Sequence, residues 1–194
     1  MTTTEAADPA PNVRLTEVVR DLDPGTALDL GCGAGGDTLW LARRGRHVTA
    51  ADISGVAITR LTERARVLGL GDRVTAERHD LTETFPAGRF DLVSAHYLHA
   101  SFERPRAGVL RRAARALTPG GRLLVVDHGS VAPWSWNRDP DVHFPSAREV
   151  AGTLDLDPGT WTVERAEALS RRATGPGGRV ADVVDHLLLI RRTR

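Results

Sequence analysis

Lysine is absent from this 194-residue chain, and all 26 of its basic residues are arginine. A Schiff-base amine and a phosphate-loop lysine are therefore both excluded. Cysteine is nearly absent: Cys32 alone rules out an intrachain disulfide framework and a thiolate zinc cluster. Such usage suits a reducing compartment. No apolar run approaches the ~20 residues of a membrane-spanning helix, and Leu187 to Ile190 reads at most as a buried strand. Residues 1–11 lack the apolar core and basic cluster of a secretion signal. They read as a disordered lead-in to a single domain over 12–194. Excess charge is missing too: the formal net charge is +1, so nothing draws the chain toward nucleic acid. The expectation is a cytoplasmic protein without nucleic-acid or membrane partners, and oligomeric state has no signature in the sequence.

What is present is an alternation of apolar runs with helical stretches, the sign of a parallel sheet covered by helices. Thr26–Leu30, His47–Asp52, Val74–Arg78, Phe90–Ala95 and Arg122–Asp127 read as strands. Helices are expected near Asp37–Arg44, after Ser54, from Pro105 to Leu117 and around Ser146–Leu154. Thr118-Pro-Gly-Gly121 reads as the stop of the third of these. Trp161–Ala173 and Val180–Arg191 flank Gly175-Pro-Gly-Gly178 and predict a closing antiparallel hairpin. The fold class is α/β: a doubly wound, mostly parallel seven-stranded sheet ending in that hairpin.

Asp29-Leu-Gly-Cys-Gly-Ala-Gly-Gly36 joins the first strand to the first helix, at the carboxyl end of the sheet where doubly wound folds bind ligands. Gly31, Gly33 and Gly36 satisfy the dinucleotide G-x-G-x-x-G spacing, so spacing alone does not choose between nucleotides. Asp52, ending the second strand, suits the ribose of NAD or of S-adenosylmethionine equally. Asp29 favours the second, which is cationic, because a carboxylate there repels a pyrophosphate. Asp80 is placed to accept an adenine amino proton while the Leu81 N–H meets a ring nitrogen.

Ala27-Leu-Asp-Leu-Gly-Cys-Gly-Ala-Gly35, Ala51-Asp-Ile-Ser54, His79-Asp-Leu81, Phe90-Asp-Leu-Val93 and Leu117-Thr-Pro-Gly-Gly-Arg-Leu-Leu124 recur in order. Together they resemble the motifs of class I methyltransferases over roughly residues 25–128. The resemblance implies S-adenosylmethionine as cofactor, with contacts from Asp29, Gly31, Cys32, Gly33, Asp52, Ile53, Asp80 and Leu81. Trp40-Leu-Ala-Arg-Arg-Gly45 with Val48-Thr-Ala-Ala-Asp-Ile-Ser54 is similar, more narrowly, to tellurite-resistance and thiopurine methyltransferases. Cys32 itself, among glycines, reads as a small packing residue whose backbone serves the loop.

His96 and Tyr97 follow the fourth strand, where they are expected to line the cofactor. His99 and His128 are expected to face a small-molecule methyl acceptor, as bases for an oxygen or nitrogen nucleophile. A zinc site is one reading of His96, His99, His128 and His143 drawn together, since imidazole suits the metal and the first two are three apart. No second-shell logic supports one, and no metal is expected. Trp134, Trp136 and Phe144 crowd the long connection 128–145 and read as an aromatic wall beside the acceptor. A non-catalytic S-adenosylmethionine-binding protein and a small nicotinamide oxidoreductase are the alternatives.

Overall fold

A computed structural model describes residues 8–98, 103–135, 139 and 141–194, with only the backbone of 103–105. Across the chain the strand order is β3-β2-β1-β4-β5-β7-β6 in one seven-stranded sheet, the expected fold class. Two compact units make up the chain, one ending at Gly88 and one beginning at Arg89.

In the first unit, β1 (Thr26–Leu30), β2 (His47–Asp52) and β3 (Val74–Arg78) run parallel. Ala27 faces Val48 and Leu30 faces Ala51 in the β1–β2 register. Ala27, Leu28 and Leu30 are fully buried, as expected of a parallel strand covered on both faces. The crossovers are α2 (Gly36–Arg43) and α3 (Gly55–Val67), the latter capped by the Ser54 hydroxyl, which accepts the Ala57 N–H. Leu61 and Ala65 of α3 pack with Cys32, Leu39 and Ala50.

A helix that sequence analysis left unassigned, α1 (Val13–Val19), precedes β1. Asn12 caps it by accepting the Arg14 N–H, and the Asn12 N–H donates to Asp37 Oδ1 at 2.6 Å. Residues 8–10, expected within the lead-in, lie against α2 and α3. Asp8 pairs with Arg43 and, at 2.6 Å, with Arg64. Gly36 permits this approach, since a Cβ there would stand 2.6 Å from the Ala10 carbonyl oxygen.

The second unit contains β4 (Phe90–His96), α4 (Glu103–Arg115), β5 (Leu117–His128), α5 (Ala147–Thr153), β6 (Trp161–Thr174) and β7 (Val180–Arg192). β4 and β5 are parallel, while β7 runs antiparallel to β5 and to β6. One expectation fails in detail: Thr118–Gly121 does not stop the helix, which ends at Arg115. Leu117 already pairs with Phe90, and a bulge carries the chain to Arg122 opposite Leu92. Thr118 Oγ1 donates to Asp91 Oδ1 at 2.9 Å inside that bulge. No helix among the described residues is long and apolar enough to cross a membrane.

Candidate functional site

The loop after β1 turns on glycines in the left-handed region, with φ of 75° at Gly31 and 50° at Gly33. A Cβ at Gly33 would come no nearer than 4.0 Å to the Gly31 carbonyl oxygen, an ordinary contact, so only its φ demands glycine there. The loop's amides face inward. Gly31 and Cys32 N–H donate to the Ala51 carbonyl at 2.8 and 3.1 Å, and Gly35 N–H to the Cys32 carbonyl at 2.8 Å. Gly33 N–H donates to Asp52 Oδ2 at 2.9 Å, and Ser54 N–H to Asp52 Oδ1 at 2.9 Å. A pyrophosphate cradle needs such amides turned toward the ligand. Here those of Gly31, Cys32, Gly33 and Gly35 are spent within the unit.

Carboxylates surround the loop instead. Asp52 is half-buried, and each of its oxygens, holding one N–H, keeps acceptor capacity. Asp29 is buried and accepts from Thr38 Oγ1 at 2.6 Å. Burial first, then the charges of Asp29 and Asp52, pushes the Cys32 thiol far up. The cysteine is thus a protonated core residue in a negative field, its backbone shaping the turn. Ile53, directly after Asp52, leaves its apolar side chain 61% exposed. Asp80 Oδ1 accepts the Thr82 hydroxyl at 2.6 Å and its amide at 2.9 Å, which hold its carboxyl below the usual range. Leu81 is half-buried beside it.

Three residues of the second unit that no local pattern singled out as a group meet around Tyr97. Its hydroxyl donates to Asp185 Oδ1 at 2.9 Å, and Arg171 Nε donates to Asp185 Oδ2 at 2.7 Å. Arg171 Nη2 also reaches the Tyr97 hydroxyl at 3.2 Å. Asp185 is fully buried. Burial, then the Asp185 charge, pushes the Tyr97 phenol up. Tyr97 adopts a left-handed φ of 49°, uncommon for a bulky residue. Its ring stacks on His128 with centroids 4.2 Å apart and planes 18° from parallel. His96 ends β4, half-buried, and His99 lies outside the described residues.

The long connection resolves into separate tasks. Trp134 covers the hairpin turn, where a Cβ on Gly175 would stand 2.2 Å from its ring. Phe144 and His143 instead line a cavity of about 490 Å3 with Arg106, Asp127, His128 and Glu149. Trp136 is outside the described residues. Arg106 Nη2 donates to both Asp127 oxygens at 2.6 Å and its Nε to the Leu98 carbonyl at 3.0 Å. No group of three or more metal-ligating side chains occurs among the described residues.

Residues 27–121 match a family described as a methyltransferase domain. Ribosomal RNA small subunit methyltransferase C of Alcanivorax borkumensis is 33% identical over 130 residues, covering 65% of this chain and 39% of that protein. Probable thiol methyltransferase 2 of Arabidopsis thaliana is 31% identical over 121 residues, covering 61% and 53%. The chain spans roughly a third to a half of the curated relatives it matches. Among solved structures, one from work on conversion of a disulfide bond into a thioacetal group during echinomycin biosynthesis superposes with a TM-score of 0.73. It is 28% identical, with 94% of this chain and 82% of that one covered. TehB from Haemophilus influenzae gives a TM-score of 0.71 at 18% identity, covering 93% and 62%, a likeness of fold.

Proposed function

From a chain that belongs, by its matched domain and sheet, to the class I S-adenosylmethionine-dependent methyltransferases, we propose methyl transfer to a small-molecule nucleophile by direct in-line displacement. The observation that carries this reading is the inward commitment of the glycine-loop amides, which leaves carboxylates to meet the ligand. That set disfavours a pyrophosphate and suits a sulfonium.

The residues fit the cofactor. Asp52 keeps lone pairs for two ribose hydroxyls, while Asp80 offers an acceptor to a base edge, with Leu81 next to it in the chain. Ile53 supplies an exposed apolar side chain for a flat ring. Asp29, buried against Thr38, contributes negative potential for an ammonium or sulfonium. When bound, S-adenosylmethionine supplies an electrophilic methyl carbon: the acceptor's lone pair bonds to it as the carbon–sulfur bond breaks and its electrons pass to sulfur. A thiol or selenide needs little further help. For an oxygen or nitrogen acceptor, His128 takes the proton, its imidazole held flat by the Tyr97 ring. A thiol methyltransferase among the relatives supports a soft nucleophile, and an RNA methyltransferase among them makes RNA the acceptor to test against.

Calorimetric titration with S-adenosylmethionine and its demethylated product tests the cofactor site. Both are expected to bind wild type and to lose at least roughly tenfold in affinity, about 1.4 kcal/mol, on Asp52→Ala. Absence of binding, or binding of NAD in its place, overturns the reading. An acceptor screen with thiols, phenols and an rRNA fragment follows. His128→Ala and His99→Ala are each expected to lower turnover on oxygen acceptors while leaving cofactor affinity unchanged.

A further inference from the structure

The turn after β3 closes tightly on Asp80. Its Oδ1 holds the Thr82 hydroxyl and amide, and its carbonyl accepts the Glu83 N–H at 3.0 Å and the Thr84 N–H at 2.7 Å. Oδ2 takes no hydrogen bond from the described residues, so it is the oxygen left for a ligand. The turn also has a fastening outside itself. The ring of His79, 18% exposed, has Nε2 2.9 Å from Glu77 Oε2 on β3 and Nδ1 2.9 Å from Thr84 Oγ1 at the far end of the turn. We propose that His79 is a positioning residue for Asp80: it clasps residues 80–84 to β3 and so fixes the carboxylate that selects an amino-bearing base in the cofactor. That Asp80 meets a base rests on the methyl-transfer reading, whereas the clasp does not.

Hydrogen placement shows why an imidazole suits this position. A carboxylate only accepts, so Nε2 carries its hydrogen toward Glu77. In the neutral ring Nδ1 is then a lone pair, and it accepts the Thr84 hydroxyl. In the imidazolium Nδ1 donates to Thr84 Oγ1, and the hydroxyl hydrogen turns to the Asp80 carbonyl, 3.2 Å away. The link holds in both states. Its anchor is the sheet: Glu77 lies opposite Ala51 in the β2–β3 register, and the His79 N–H donates to the Asp52 carbonyl at 3.0 Å. Asp80 is thereby set relative to Asp52, the carboxylate placed at the ribose. A fixed Oδ2 accepts a base amino hydrogen. A base with a carbonyl in place of that amino group sets two acceptors against each other. Only a carboxylate free to swing escapes this, by moving to the ring N–H beside that carbonyl, so the clasp is what makes the choice of base sharp.

S-adenosylhomocysteine and S-inosylhomocysteine, which differ only at that base edge, are titrated into the full chain by calorimetry. Wild type is expected to bind the adenosyl compound at least roughly tenfold tighter, the size of one hydrogen bond to a charged group. His79→Leu and Thr84→Val each break the clasp and are expected to bring this ratio to roughly threefold or less. His79→Gln, whose amide both donates and accepts, and Thr84→Ser are expected to keep most of it. Independently of any ligand, hydrogen exchange of the Thr82 and Thr84 amides is expected to quicken at least roughly threefold in the two clasp-breaking variants. Equal binding of the two compounds by wild type, a ratio unchanged in Thr84→Val because both compounds weaken alike or neither does, or unchanged amide exchange overturns the inference. Thr84 is exposed, so its variants decide the matter even if His79→Leu does not fold. A wild type that binds neither compound, with exchange quickened as expected, defeats the cofactor reading and the base selection with it, and leaves the clasp standing.

Discussion

Asp185 is a fully buried carboxylate whose charge is met from one side by Arg171 and from the other by the Tyr97 hydroxyl. The two partners are not equivalent. Tyr97→Phe removes one hydrogen bond to a charged group and is expected to cost about 1.5–3 kcal/mol. Arg171→Ala leaves a buried charge without its counter-ion and is expected to cost more, about 3–5 kcal/mol. Urea denaturation checks the order. Asp185→Asn in the Arg171→Ala background is expected to recover part of the loss, because it neutralises the stranded carboxylate. Should Tyr97→Phe prove the costlier change, hydrogen bonding rather than charge neutralisation holds the cluster.

At the scale of elements, α5 shows how a short helix is fixed by its first turn. Ser146 Oγ accepts the Glu149 N–H at 3.2 Å, and Glu149 Oε2 accepts the Ser146 N–H at 2.8 Å, a reciprocal capping box. Ser146→Ala is expected to cost about 1 kcal/mol. The bonds from Ser146, then the nearby His143, hold the Glu149 carboxyl below its ordinary 4.5. Its contribution is therefore complete above that ordinary value and is lost as pH falls through the lower native one. Glu149→Gln is expected to flatten the acid limb of stability against pH, measured by urea midpoints between about pH 5 and pH 3. An unchanged limb sinks this account of the cap.

Legibility from sequence followed how local each signal was. Thr26–Leu30, His47–Asp52 and Val74–Arg78 were read to the residue because each is an extended run bounded by turn or charged residues. β5 was misread at its start: Pro119 and two glycines signal a stop, and only pairing of Leu117 with Phe90 overrides them. The glycine loop and Asp52 were found by pattern, yet the inward direction of the amides depends on the Ala51 carbonyl in the neighbouring strand. Arg171 and Asp185 lie 74 and 88 positions from Tyr97, and their only local sign was charge inside otherwise alternating strands.

For the whole molecule, ligand binding and stability are one measurement. A ligand at one hundred times its Kd stabilises the folded state by ~2.7 kcal/mol, and each kcal/mol moves the midpoint ~2–4 °C for a chain of this size. S-adenosylmethionine is therefore expected to raise Tm by roughly 5–10 °C. At the same ligand concentration the shift should fall to about half or less in Asp52→Ala and be absent with NAD, and a scanning fluorimeter suffices to see it. A rise with NAD alone would reverse the argument built on the loop carboxylates.

Cys32 is the sole thiol of the chain, 8% exposed beneath the glycine loop and packed against Leu39 and Leu61. To a maleimide the native protein is therefore almost blank, and its slow alkylation is a stopwatch for opening of that loop. The same blankness makes the chain a ready host for spectroscopy. One cysteine introduced on any exposed position would carry a dye or spin label alone, without first deleting the native sulfur from the turn it helps to shape.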